Sequence, residues 1–384
     1  MKFDFLVLGA TGMQGRIVTA DLIGKGYKVF GSSRHAKGLE KVQEQHPTFQ
    51  FEELDLSDSK KIAELISRVN PGVVINCAEG DWNFEVYQAA LEAGANVIDL
   101  GSDIPTTQKQ MALDQAFKEK GLTAITGCGS TPGVNDVMLR YASGFLDTID
   151  TIEAGFAWNS EPQTFVVPFS MESIFEEFTD PAQVFENGEW GVKVPMETVQ
   201  DKEFREVGNQ KVFLVRHPET YTFYYYFQDL GVKTVRFYAG FPDHSFNVIQ
   251  DYIKRGLTKD RKFCLDGENC APLTALTKIL QEKHAPPEGY EEKENLWVSL
   301  TGTKNGRKET ILMECIVPTL PDWKSAGCNI DTGFPASIMA QMILNKVVAD
   351  RGSFAPAGII PPEPFFEELK KRSMRIYMNG AQIV

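Results

Sequence analysis

From residue 3 to about residue 125 the chain alternates short apolar runs, at 3–8, 28–32, 49–55, 72–76, 96–100 and 122–126, with longer stretches at 15–24, 59–69, 83–93 and 106–120. In the longer stretches apolar residues recur at helical spacing and no proline interrupts, so each reads as a helix, and the six short runs read as strands. Strand and helix in alternation are the signature of β-α-β units around a parallel sheet. The expected fold class is therefore α/β, a Rossmann-type doubly wound sheet with helices over its faces.

After residue 127 the texture changes. Pro132-Gly133 is followed by a helical pattern, then by segments rich in Phe, Tyr and Val at 151–158, 211–215 and 222–226. This predicts a second, α+β domain with a mixed or antiparallel sheet. Residues 282–294, with Pro286, Pro287 and five glutamates, read as an exposed loop between a helix at 272–281 and a strand at 296–301. Residues 335–349 are helical in pattern, Pro361-Pro362 ends that helix, and 364–372 forms a last amphipathic helix. The predicted division is 1–130, completed by 335–384, and 131–334.

A length of 384 residues agrees with two domains at roughly 150 residues each. The net charge of −13 repels phosphate backbones and anionic lipid, which argues against nucleic acid or a membrane as partner. Six cysteines lack any Cys-x-x-Cys pair, and five histidines show no ligand spacing, so neither a disulfide framework nor a metal site is signalled. The N-terminal apolar run leads straight into a glycine loop and reads as a strand rather than a signal peptide; with no run of 18 apolar residues, a cytoplasmic protein is the expectation.

The most specific local signal is Gly9-Ala10-Thr11-Gly12-Met13-Gln14-Gly15, directly after a strand and before a helix. Glycines allow a tight turn and close approach of backbone to a pyrophosphate, which the free N–H groups of the helix N-terminus would receive. Gly9, Thr11, Gly12, Met13, Gln14 and Gly15 are thus expected to hold a dinucleotide. At the end of the second strand, Phe30-Gly31-Ser32-Ser33-Arg34-His35 contains no carboxylate for the 2′-hydroxyl of NAD. Ser33, Arg34 and nearby Lys37 could instead cradle the 2′-phosphate of NADP, although an exposed basic turn would look the same. NADP rather than NAD is the expected cofactor. Asp55 and Leu56 would border the adenine, and Cys77 and Ala78 would lie where the nicotinamide half crosses the strand tips.

Four segments in order carry a resemblance to a known family. They are Gly127-Cys128-Gly129-Ser130-Thr131-Pro132-Gly133-Val134-Asn135-Asp136; Glu172-Ser173-Ile174-Phe175-Glu176-Glu177-Phe178-Thr179-Asp180-Pro181-Ala182; Thr332-Gly333-Phe334-Pro335-Ala336-Ser337; and Ile360-Pro361-Pro362-Glu363 with the helix that follows. In these the chain resembles the saccharopine dehydrogenase family, in its saccharopine reductase and lysine 6-dehydrogenase branch. The resemblance implies an NAD(P)-dependent oxidoreductase acting at a C–N bond of an amino-acid-derived amine or imine, with the second domain binding a small amino-acid-like substrate and forming a homodimer. The chain departs from the branch in its longer glycine loop and in Glu79-Gly80-Asp81-Trp82, where the branch has Gly-Pro.

For chemistry, the loop residues Gly129, Ser130, Pro132, Gly133 and Asn135 could hold a substrate carboxylate, as could Arg236 by a bidentate contact; a turn and a structural ion pair are the plain alternatives. Thr332 could touch substrate or cofactor. Candidate proton handlers are Glu79, Asp81, Asp99 and Asp103, each also readable as a solvated carboxylate or helix cap, and His217, which titrates near neutral pH. The aromatic run 221–227 reads as sheet and interface packing. Two rival functions remain at this level: a non-catalytic NADP-binding regulator, and an NADP-dependent reductase of a carbonyl or alkene, the latter compatible with Phe165, Phe169, Phe175 and Phe178.

Overall fold

The tetrapeptide Phe5–Leu8 is completely buried as strand β1, with Phe5 and Val7 packed into one hydrophobic cluster and Leu6 and Leu8 into another. A strand with two buried faces belongs to the middle of a parallel sheet, and β1 pairs in parallel on both sides, with β2 (Val29–Ser33) and β4 (Val73–Asn76). β3 (Gln50–Glu53) extends the β2 side, and β5 (Asn96–Asp99) and β6 (Thr123–Ile125) the β4 side. Helices α1 (Met13–Gly24), α2 (Ser59–Val69), α3 (Asn83–Ala93), α4 (Ile104–Met111) and α5 (Asp114–Glu119) connect them. The last two divide the stretch read from sequence as one helix. In the computed structural model the described residues are 2–36, 42, 44, 46–167, 170–258, 263–265, 268–283 and 287–384; Lys37, Phe169 and Pro286 lie outside them.

Helix α6 (Val134–Ser143) leads into the second sheet. Its spine is two 14-residue strands, β7 (Thr148–Glu161) and β15 (Glu291–Lys304), antiparallel along nearly their whole length. Between them in the chain lie α7 (Met171–Thr179), β8 (Ala182–Glu186), β9 (Glu189–Lys193), β10 (Gln200–Phe204), β11 (Gly208–Leu214), α8 (Glu219–Phe227), β12 (Thr234–Phe241), α9 (Asp243–Lys254), the hairpin β13 (Phe263–Leu265) and β14 (Glu268–Cys270), and α10 (Pro272–Lys283). β12 runs parallel to β7, and β16 (Arg307–Pro318) antiparallel to β15, so of the two alternatives left open by the sequence, mixed or antiparallel, the sheet is mixed. The run 221–227 corrects the sequence reading: it is helical. Aromatic residues favour strands, but here Thr222, Phe223 and Phe227 fall on one buried helical face, and that packing outweighs local propensity.

A turn of 3-10 helix, Pro321–Asn329, runs into α11 (Ile330–Leu344), which begins five residues before the predicted start at Pro335. Gly333 lies against α1 so closely that a Cβ there would sit 2.4 Å from Ile17 Cγ2. Next, β17 (Gly352–Phe354) adds a parallel seventh strand beside β6, giving the order β17-β6-β5-β4-β1-β2-β3. After α12 (Pro356–Ile359) and α13 (Pro362–Lys370), β18 (Arg375–Met378) and β19 (Ala381–Gln382) return to the other sheet through β16. Residues 375–382 thus extend the second sheet, whereas the sequence division placed all of 335–384 with the first. No helix among the described residues is long and apolar enough to cross a membrane.

Candidate active site

The strand order reverses between β1 and β4, and ligands of open α/β sheets lie in the crevice outside such a switch point. The glycine loop sits there. Gly9 has φ +75° and faces the end of β4: a Cβ would lie 2.7 Å from Ala78 N, and one on Gly15 only 2.0 Å from Gly9 O. Both positions therefore exclude side chains and keep the loop flat against the strand tips. Gly12 precedes α1 without a capping side chain, so the first-turn amides stay available as anion donors. The loop is tied to β2 by Thr11 N–H donating to Ser33 Oγ (3.0 Å) and Ala10 N–H to Ser32 O (3.0 Å). Arg34 follows, exposed, across from Asp55, whose carboxyl is held below its ordinary range by hydrogen bonds from Ser57, with a smaller contribution from Arg34. These features fit the phosphates of a dinucleotide.

Beside the loop lies a cavity of about 250 Å³. Its floor is the second sheet. Residues two apart on a strand share a face, so Phe156 and Trp158 on β7 point the same way, as do Glu292 and Glu294 on β15, with Glu294 opposite Trp158. Glu177 comes from α7, His217 from the turn before α8, and Asp331 and Thr332 from the start of α11. Gln14, from the first turn of α1, closes the side next to the dinucleotide loop; its Nε2 donates to Asn329 Oδ1 (3.0 Å).

The electrostatics of this wall are one-sided. Glu294 and Asp331 are hydrogen-bonded to each other, and burial pushes both carboxyls up, so the pair holds a shared proton; Ser130 and Thr332 also bond Asp331, the latter at 3.1 Å. Glu292 accepts from Tyr290 Oη (2.6 Å) and Cys328 N–H (2.9 Å), and burial still raises it. Glu177 is raised well above the ordinary range by burial and then by Glu176, and its Oε2 has no partner. Trp158 Nε1 and Gln14 Oε1 are likewise buried and unpartnered. Among the described residues lining the cavity none is lysine or arginine. Buried carboxylates without counter-charge are costly, and a cationic ligand with N–H donors would relieve them. His217 is the exception in type: its Nδ1 bonds Glu219, which is fully buried, and its ring stacks on Phe237 with centroids 4.0 Å apart and planes 9° from parallel.

Family comparison bears directly on this arrangement of a dinucleotide loop against an acid-walled cavity. Models of the saccharopine dehydrogenase NADP binding domain and of the saccharopine dehydrogenase C-terminal domain match residues 5–125 and 129–374. The chain belongs to the saccharopine dehydrogenase family. At that level it is an oxidoreductase with a nicotinamide dinucleotide as cofactor. The fold matches saccharopine dehydrogenase (L-Glu forming) from Saccharomyces cerevisiae with a TM-score of 0.77 over 100% of both chains at 12% identity, a likeness of fold. Carboxynorspermidine synthase of Vibrio alginolyticus is 27% identical over 345 residues, 82% of this chain and 79% of that one. Carboxyaminopropylagmatine dehydrogenase of Synechocystis is 25% identical over 337 residues, 82% of this chain and 81% of that one.

Within this saccharopine dehydrogenase family chain, the residues expected at the substrate divide. Ser130 and Thr332 line the cavity and bond each other at 2.9 Å. Gly129, Pro132 and Gly133 shape the loop that carries Ser130: a Cβ on Gly133 would lie 1.9 Å from Gly129 O, and the Pro132 ring fills the space over Gly101 and Gly127. Asn135 does not reach the cavity; it is buried, its Nδ2 donating to Gly155 O (3.0 Å), and so ties α6 to β7. Arg236 must be corrected too. It adjoins Phe237, whose face meets His217, so strand alternation turns Arg236 to the opposite side, where it pairs with Glu186 (2.6 Å) and Glu153 (3.2 Å).

The expected proton handlers also separate. Asp103 accepts from Thr106 N–H (2.8 Å) as the N-cap of α4, outside the cavity lining. Asp99 is sealed behind the strand tips, accepting from Gly101, Gly127, Gln110 and Thr126, although burial still raises it. Glu79 and Asp81 are exposed around the turn Gly80–Trp82. Cys77 and Leu56 are buried at the sheet edge of the crevice, and burial pushes the Cys77 thiol up. Met13 is exposed at the head of α1. Sequence reasoning missed Glu177, Glu292, Glu294, Asp331 and Trp158. The spacing of Glu292 and Glu294 was the available signal, but it fell in a glutamate-rich stretch read as loop.

Proposed function

We propose that the protein is an NADP-dependent oxidoreductase that joins a cationic amine to a carbonyl compound by reducing the imine between them, or reverses that step, within a carboxylated polyamine. The observation that carries the reading is the acid-walled cavity against the dinucleotide loop, with buried acceptors in Glu177 and Gln14 awaiting donors. An uncharged lipid-like substrate would leave those groups desolvated and unpaired; a chain of ammonium groups supplies both charge and donors. Carboxynorspermidine and carboxyaminopropylagmatine, for which the relatives are named, are cationic chains with one carboxylate. With Arg236 turned away and the Ser130 and Thr332 hydroxyls donating to Asp331, the described cavity lining favours the ammonium end of such a chain. Arg34, at a β2 tip that lacks an acidic residue, supports NADP over NAD.

The dinucleotide, when bound, supplies the hydride; the chain's part is to hold the reacting carbon in place and keep water out. The Glu294–Asp331 pair fixes the amine, and His217, held by Glu219 and Phe237, exchanges protons with nitrogen and oxygen while the imine forms. The test is NADPH absorbance with linear diamines plus an amino-acid aldehyde, beside lysine with 2-oxoglutarate. Turnover with the diamine pair is expected. Turnover only with lysine, or only with an uncharged ketone or alkene, would refute the reading.

A further inference from the structure

Coupling an ammonium group to an aldehyde gives an iminium ion and water with no net gain or loss of protons. Hydride addition then leaves a secondary amine that takes up one proton to become an ammonium ion. Each turnover in the reductive direction thus consumes one NADPH and one proton, and the proton must reach the new nitrogen while substrate fills the cavity. His217 can pass protons during imine formation, but its partner Glu219 is fully buried. Among the described cavity carboxyls, Glu292 heads a series of hydrogen bonds that leads away from the cavity to a partly exposed histidine.

That connection runs through side chains able to give and take a proton. Tyr290 Oη donates to Glu292 Oε1 at 2.6 Å, and Ser160 is hydrogen-bonded to Tyr290. Ser160 Oγ lies 3.3 Å from His244 Nε2 and 3.4 Å from Pro162 O, a second acceptor for its proton. Pairing between β7 and β15 explains the alignment, because Ser160 stands directly opposite Glu292. Glu292, Tyr290 and Ser160 are 5%, 6% and 2% exposed, whereas His244, on α9, is only partly buried. Its ring is braced edge-on against Trp158, 6.1 Å between centroids. Around His244 the charged neighbours are Glu161 and Asp243; around Glu292 they are Glu294 and the polar groups of Tyr290 and Cys328. Burial raises the Glu292 carboxyl, which suits a group that must carry a proton.

We propose that His244, Ser160, Tyr290 and Glu292 form a proton path from solvent to the cavity, a reading that rests on the imine reduction above. His244 passes its Nε2 proton to Ser160 Oγ, Ser160 its hydroxyl proton to Tyr290 Oη, Tyr290 its proton to Glu292, and the Glu292 carboxyl its proton to the new amine nitrogen. As the imidazole gives up its Nε2 proton it takes one from solvent at Nδ1, and rotation of the ring and of the Ser160 and Tyr290 hydroxyls restores the starting arrangement for the next turnover. Amine oxidation runs the series in reverse.

The test compares wild type, Tyr290→Phe and His244→Ala with saturating NADPH and an amine–aldehyde pair, in water and in D2O, with and without imidazole. Tyr290→Phe should lower kcat by roughly 100-fold or more, in keeping with loss of a positioned proton donor, with the KM for amine unchanged and a larger solvent isotope effect. His244→Ala should fall similarly and recover with imidazole. Wild-type kcat in both variants, or a folded His244→Ala that imidazole does not restore, would overturn the path. Failure of the wild type on every amine–aldehyde pair would instead count against the substrate reading. In that case the path is tested without turnover: 15N shifts of neutral His244 in the intact protein should report the Nε2–H form. The Nδ1–H form would make Ser160 donate to the ring instead of to Tyr290 and would overturn it.

Discussion

Asp331→Asn tests the acidic wall most directly. Asp331 is the member of the Glu294–Asp331 pair that ionises first, its carboxyl pushed up to about 6 by burial and steadied by Glu294, Ser130 and Thr332. A charge-assisted hydrogen bond from a substrate ammonium to this carboxylate contributes about 1.5–3 kcal/mol net. At about 1.4 kcal/mol per factor of ten, its loss should raise the Kd and KM for amine by roughly 10- to 150-fold. Glu294→Gln should cost less at neutral pH, because an amide can still donate to Asp331 as the protonated carboxyl does. NADPH-absorbance kinetics with varied amine, paired with calorimetry on the NADP-loaded protein, give both constants. Stability should move the other way. The folded-state carboxyl titrates above its ordinary value of 3.8, so between 3.8 and about 6 the unfolded chain binds fewer protons than the native one. This group therefore makes the ligand-free protein less stable as pH rises through that window. Asp331→Asn should remove that slope and leave the protein at pH 7 at least as stable as wild type. Wild-type amine affinity in a folded Asp331→Asn protein would refute the argument.

Arg34→Glu exchanges a phosphate-binding guanidinium for a repelling carboxylate and should weaken NADP at least 10-fold, by about 1.5–3 kcal/mol, with NAD little affected; fluorescence titration giving equal losses would remove Arg34 from phosphate recognition. Arg236→Ala leaves Glu153 and Glu186 without their shared cation at a partly exposed site, so a stability loss of about 1 kcal/mol with unchanged kcat and KM is expected, and a collapse of kcat would return Arg236 to the site. Arg372, only 5% exposed, pairs with Asp21 of α1 at 2.7 Å and with Glu368 at 2.9 Å. Arg372→Ala should cost about 3–5 kcal/mol in denaturant unfolding, and an added Asp21→Leu should recover part of that loss.

Much of the first domain was readable locally. The glycine loop between an apolar strand and a helix needs no distant partner, since turn geometry and helix-end amides are properties of contiguous residues. The aromatic run 221–227 was misread because β propensity is a weak local preference that buried helical packing overrode. Arg236 was misplaced for a related reason: period two says that neighbours face opposite ways, but not which face meets the cavity. The carboxylates at Glu292 and Glu294 alternate as strand residues should, yet in sequence they resemble solvated loop charges, and only pairing with β7 distinguishes the two.

The sequence by itself therefore determined the parallel sheet, the glycine loop between its first strand and helix, the presence of a second sheet and the family. Each follows from side-chain periodicity or from a contiguous motif, which neighbouring residues can encode. Tertiary structure alone decided the acid-walled cavity. Its walls come from the two long strands, from α7, from the turn before α8 and from the start of α11, and Gln14 meets Asn329 across 315 residues of chain. Charge without a counter-ion is a property of three-dimensional neighbours, since a glutamate that is harmless in water becomes a binding group only where folding removes the water and brings no cation.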